Sequence, residues 1–108
     1  MNTGIQNLLF ELIESEADLN LYIIRDGSKA EIPAITITSS PVGHFPRKRG
    51  DRYTLWFGRG IERWTFKTFP EAVKQAKSIL ARTKAQIQIL FDGPLKQRAS
   101  KLWEAAEP

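Results

Sequence analysis

The chain has 108 residues, 42% of them hydrophobic and 26% charged, with a net charge of +4, one histidine and no cysteine. That is the length of one domain, with enough apolar material for a core, so wholesale disorder is excluded. Missing cysteine excludes disulfides, thiolate metal sites and cysteine nucleophiles, and one histidine leaves zinc sites and Ser–His–Asp triads short of parts.

Ile5, Leu8, Leu9, Leu12 and Ile13 recur at spacings of three and four, with Glu11 and Glu14 between them. This predicts an amphipathic helix over residues 3–17. Leu19 to Ile24 reads as a strand closed by a turn at Asp26-Gly27. Ile32 to Thr38 reads as a second strand, with Pro33 at its start or on a sheet edge. Residues 39–52 hold two Pro, two Gly and four basic side chains without periodicity, a basic loop of the length at which loops tend to carry function.

Tyr53 to Phe57 and Ile61 to Lys67 are aromatic-rich runs joined through Gly58-Arg59-Gly60, a hairpin signal. Thr68-Phe69-Pro70-Glu71 has the form of a capping box with Pro in the first turn. Behind it Phe69, Ala72, Val73, Ala76, Ile79 and Leu80 share one helix face. Gln86 to Phe91 makes a further strand, and Leu95, Ala99, Leu102, Trp103 and Ala106 mark a last short helix. The expected order is αββ–loop–ββαβα in one domain spanning residues 1–108. Strand runs interrupted by single helices predict an α+β fold, its mainly antiparallel sheet carrying helices mostly on one face.

The net charge conceals an asymmetry. Residues 1–27 carry five acidic side chains against one basic, whereas residues 41–67 carry seven basic against two acidic. Residues 68–91 add four basic against one acidic. A field polarised in this way favours an anionic partner, although small soluble domains also carry such charge without one.

Pleating puts Tyr53, Leu55 and Phe57 on one face with Trp64, Phe66, Ile87, Ile89 and Phe91, an apolar set suited to the capped helix. The other face then holds Thr54, Trp56, Arg63, Thr65, Lys67, Gln86 and Gln88. One large aromatic among Arg, Lys, Thr and Gln suits base stacking and phosphate contact. The candidate nucleic-acid-binding residues are therefore Arg47, Lys48, Arg49, Arg52, Trp56, Arg59, Arg63 and Lys67. Blander readings stay open. Trp56 packs beneath the N-terminal helix, Arg63 and Lys67 form a solvated strand face, or the loop only solubilises. His44 is expected as a loop residue rather than a ligand or base.

The run Thr65-Phe66-Lys67-Thr68-Phe69-Pro70-Glu71-Ala72-Val73-Lys74-Gln75-Ala76 resembles the strand-to-helix junction of the plant ethylene-response-factor DNA-binding domain. Similar domains form the arm-binding ends of phage integrases. The resemblance implies a three-stranded sheet entering the major groove of DNA, with Trp56, Arg59 and Arg63 in contact with it. It covers about a dozen residues, and it departs from the family at Trp64, where a Gly is usual, and in the additional strand Gln86 to Phe91. The order ending in Phe91-Asp92-Gly93 also resembles small uncharacterised bacterial strand–strand–helix–strand modules.

Catalytic constellations are not recognisable. Gly58-Arg59-Gly60 lacks the third Gly, the following helix and the Lys of a phosphate loop. Glu11 and Glu14 have the spacing of a solvated helix face, and Ser39 and Ser40 have only His44 as a base. The expectation is a non-enzymatic nucleic-acid-binding protein, DNA before RNA, with no cofactor and no metal. The alternative is a protein-interaction module, homodimeric through Trp56, the edge around Pro33 and the Leu102-Trp103 helix. Neither a basic leader within Met1 to Phe10 nor a long apolar run is present, so a cytoplasmic protein without a membrane partner is expected.

Overall fold

A computed structural model describes residues 3–41, 44, 46, 48–82 and 87–106. Among them three helices and six strands follow in the order α1 (Thr3–Ser15), β1 (Leu19–Arg25), β2 (Ser28–Lys29), β3 (Ile35–Thr38), β4 (Tyr53–Phe57), β5 (Glu62–Phe66), α2 (Phe69–Ala81), β6 (Gln88–Asp92) and α3 (Lys96–Ala105). The fold is α+β, and every strand pair is antiparallel.

β1 is the hub of the sheet. β6 takes one of its edges over Asn20 to Ile24, while β2 and β3 share the other, β2 at Ile24–Arg25 and β3 at Leu19–Leu21. β4 and β5 follow on the far side of β3, so β5 and β6 are the outermost strands, and the two-residue β2, paired with β1 alone, is a further short edge. The Asp26-Gly27 turn is a hairpin loop: both residues have positive φ, 52° and 78°, the backbone twist a two-residue connection requires. It leads into β2, a strand absent from the sequence reading. Ala30 N–H to the Ile23 carbonyl and Ala34 N–H to the Leu21 carbonyl carry the pairing across the interruption. Pro33, without an N–H, sits inside that interruption, and the expected strand over 32–38 shortens to Ile35–Thr38.

One face of the sheet builds the core. Leu19, Leu21, Ile35, Ile37 and Leu55 are fully buried against Phe69, Ala72, Val73, Ala76, Ile79 and Leu80 of α2. These are the six α2 residues that the helical period selects. Thr68 caps α2, its hydroxyl accepting from Glu71 N–H at 3.4 Å and donating to the Glu71 carboxylate at 2.8 Å. α2 spans the sequence between the two outermost strands, and α3 packs beside it. Trp103 meets Phe91 edge-on at 5.4 Å, and Lys77 of α2 donates to the Ala106 carbonyl at 2.8 Å, closing the end of α3. α1 is the exception to one-sided packing. It lies on the opposite face, so both faces of β3 are covered and all four of its residues are buried.

Candidate nucleic-acid interface

The face away from α2 begins as a row of short polar side chains. Asn20, Thr36, Thr38 and Thr54 are all buried there. Burial makes hydrogen bonds obligatory. Thr36 donates to Asn20 Oδ1 at 2.8 Å, and Asn20 Nδ2 donates to the Glu14 carbonyl at 3.0 Å, which ties the row to the end of α1.

The same row anchors the basic loop. Its start is held by Asp18, whose carboxylate accepts from Ser39 N–H at 2.8 Å, and by Glu16, which accepts from the Ser40 hydroxyl. Further along, His44 Nε2 lies 2.9 Å from the Asp51 carbonyl and Nδ1 lies 2.5 Å from the Thr54 hydroxyl. A carbonyl only accepts, so Nε2–H donates to Asp51, while Nδ1 shares a hydrogen bond with the Thr54 hydroxyl. Asp51 in turn accepts from the Thr65 hydroxyl at 2.6 Å. His44 and Asp51 thus pin the inner side of the loop onto β4 and β5. Neither pairing is visible in sequence, because each joins residues ten or more positions apart.

With the inner side pinned, the cations point outward. Lys48, Arg49, Arg52 and Lys67 are all exposed. Lys48 and Lys67 line one open cleft of about 470 Å³ at the end of β5, together with Asp51, Thr65 and Glu71. Among the described residues, no carboxylate is ion-paired to Lys48, Arg49, Arg52 or Lys67. Arg47 lies outside the described residues.

The remaining three candidates are arranged differently. Arg59, at positive φ in the β4–β5 turn, forms a two-pronged pair with Glu14 of α1, Nε to Oε2 at 3.1 Å and Nη2 to Oε1 at 3.3 Å. Its guanidinium also lies 5.6 Å from the Phe10 ring centre. Phe10 in turn meets Trp56 edge-on at 6.0 Å. Trp56 is half-buried, and its Nε1 is shielded from solvent without an acceptor. Arg63 stands across from Trp56 in the ladder, its guanidinium 5.7 Å from the indole centre. The reading in which Trp56 packs beneath the N-terminal helix is the one the structure shows.

The seven described candidates therefore do not form one surface. The structure gathers Lys48, Arg49, Arg52 and Lys67 at one end of β4 and β5, and it places Trp56 and Arg59 under α1. Gln88 lies on β6, at the sheet edge opposite β5, and Gln86 lies outside the described residues. The surface expected for a protein partner is also dispersed: Pro33 is buried, and Leu102 and Trp103 pack against the core. Among the described residues, no three His, Asp or Glu side chains cluster as a metal site needs, and no helix is long and apolar enough to cross a membrane. No protein-family model, no curated protein and no solved structure matches the chain.

Proposed function

We propose that this chain is a non-catalytic, cytoplasmic nucleic-acid-binding protein that needs no cofactor and holds phosphates at the end of β5. The observation that carries this reading is the set of four exposed cations, Lys48, Arg49 and Arg52 on a loop fixed to the sheet by His44 and Asp51, and Lys67 at the end of β5. Exposed ammonium and guanidinium groups on a fixed frame position a polyanion through its phosphates without reading its bases. Arg47 adjoins the group in sequence and adds to its charge. Arg59 is committed to Glu14 and Trp56 to Phe10, so this reading assigns neither of them a phosphate. DNA is preferred to RNA on the resemblance of residues 65–76 to DNA-binding domains.

The test is a salt titration of binding to labelled duplex DNA, with single-stranded RNA alongside. Four phosphate contacts give a slope of log K against log salt of roughly −3.6. Absence of salt-sensitive binding to either polymer at low ionic strength would overturn the proposal.

A further inference from the structure

Both helices on the core side begin at the end of the sheet that carries the basic loop. At that end Tyr53 pairs with Phe66, Thr38 with Thr54 and Asn20 with Asp92. α2 opens at Phe69, directly after β5. The start of α3 is tied to the start of β1, where Leu95 N–H donates to the Asp18 carbonyl at 3.0 Å. The two helices then run side by side in one direction. Phe69 neighbours Arg98 near their starts, and Lys77 reaches the Trp103 and Ala106 carbonyls near the end of α3.

This arrangement brings Arg98 round to the loop. Its guanidinium lies over Phe69, 5.4 Å from the ring centre, and the same ring meets Tyr53 at 5.7 Å. Tyr53 follows Arg52 in the chain and lines with it an open cleft of about 470 Å³, together with Ser39, Pro41 and His44. Phe69 is fully buried, so the seat beneath Arg98 is part of the core. A guanidinium held over a ring keeps its N–H donors for another acceptor. Arg98 is exposed, and among the described residues no carboxylate is ion-paired to it. Acids at this end have other partners: Asp18 accepts from Ser39 N–H, Asp51 from Thr65 and Glu71 from Thr68.

We infer, on the reading of the loop as a phosphate-binding surface, that Arg98 is a further phosphate contact of the same nucleic-acid interface. The interface then passes from the loop across the Tyr53–Phe69 pair onto α3. A guanidinium matches phosphate oxygens with paired donors, and cations on two separate elements fix the direction of the bound backbone. Other cations seated on rings lack this combination. Arg59 at Phe10 is taken by Glu14, Arg63 stands over Trp56 near the β4–β5 turn, and Lys29 stands over Tyr22 at the opposite end of the sheet. Spacing in sequence does not reveal Arg98, which lies more than forty residues beyond the loop and reaches it only through Phe69.

Salt titrations of binding to labelled duplex DNA test the assignment with Arg98→Gln, Arg98→Lys and Lys29→Gln. One phosphate contact contributes about 0.9 to the slope of log K against log salt, which is roughly eightfold in affinity at about 0.1 M salt. Arg98→Gln loses that amount, Arg98→Lys retains it, and Lys29→Gln changes neither slope nor affinity. An unchanged slope in Arg98→Gln, while joint replacement of Lys48, Arg49 and Arg52 still flattens it, overturns the role of Arg98 and leaves the loop reading standing. An equal loss in Lys29→Gln also overturns it, since net charge alone would then account for the effect. A natural chain without salt-sensitive binding overturns both readings.

Proximity gives a second readout that leaves Arg98 in place. Lys101 is exposed one turn further along the same side of α3, and the chain has no cysteine to compete for a label. Lys101→Cys carrying a benzophenone photo-cross-links to bound DNA, whereas Lys29→Cys carrying the same group does not. Failure of the label at Lys101→Cys to attach, under conditions where the DNA is bound, overturns the extension onto α3.

Discussion

At the β4–β5 turn the guanidinium of Arg59 is already held by Glu14, and the neighbouring Trp56 already lies against Phe10. At the other end of the same two strands, Lys48, Arg49, Arg52 and Lys67 stand in solvent. Both regions are rich in Arg and aromatic residues, and both occupy the same hairpin. What separates them is α1, whose acidic, aromatic side occupies one region and does not reach the other. An internal carboxylate on Arg59 does what an external phosphate would do there. Basic composition is thus a statement about potential partners, and the fold decides which of them are internal.

The sharpest way to test that contrast is to change each region and compare binding with stability. Replacing Lys48, Arg49 and Arg52 together with Ala is expected to weaken DNA binding about a hundredfold at moderate salt and to flatten the salt slope by roughly 2.7. The melting temperature should stay put, because all three side chains are exposed. Arg59→Gln should leave binding unchanged. A loss of binding with Arg59→Gln equal to that of the loop variant would erase the distinction between the regions.

Stability reports the opposite way. Trp56→Ala removes a half-buried indole from beneath Phe10 and is expected to cost about 2–3 kcal/mol in denaturant unfolding. If Trp56 were a solvent-facing base-stacking residue instead, the cost would be near zero.

Gly60→Ala tests the contact between the turn and α1. A Cβ at Gly60 would come within 2.7 Å of Phe10 Cζ, at a φ of +94° that L-residues rarely adopt. A loss of about 1–2 kcal/mol is expected, read by the same unfolding curves. No loss would mean that Phe10 does not rest on the turn.

The smallest effects belong to Glu14. Its side chain and that of Arg59 are 18% and 23% exposed, so a double-mutant cycle of Glu14→Gln and Arg59→Gln should give a coupling below about 1 kcal/mol that shrinks in salt. Glu14 also acts on Tyr22, whose hydroxyl is raised above its ordinary pKa of 10.0 by burial first, then by Asp92 and Glu14. The fold therefore favours the neutral phenol. Its contribution is present below pH 10, fades as the unfolded chain ionises above that, and is lost through the higher folded pKa. Glu14→Gln should move the Tyr22 titration down, as followed by tyrosinate absorbance. An unmoved titration would remove Glu14 from the surroundings of Tyr22.

How far the sequence carried the reading varies with the kind of interaction. The α2 core face was legible to the residue, because Phe69 to Leu80 follow a 3.6-residue period and Thr68 to Glu71 satisfy a local cap. The β4–β5 pairing was legible too, since its partners are neighbours in the chain. The Asp26-Gly27 dipeptide signalled a hairpin whose second strand was missed, because Ser28-Lys29 is two residues long and has no pattern to detect. In the candidate site the identity of the basic residues could be read, but not their division into two groups. The hooks from His44 to Thr54 and from Asp51 to Thr65 join separate segments, and no local spacing encodes them.

The sequence by itself determined the α+β class, the capped helix, the two-faced hairpin and a basic middle set against an acidic start. Each of these rests on interactions between residues a few positions apart. Only the tertiary structure decided that α1 crosses to the far face of the sheet, spends Phe10 and Glu14 on Trp56 and Arg59, and leaves Ile5, Leu8, Leu9 and Leu12 outside. Amphipathicity fixes that a helix has an apolar side. Which side meets the sheet depends on the Asn20, Thr36 and Arg59 groups that receive it, and those come together only when the chain has folded.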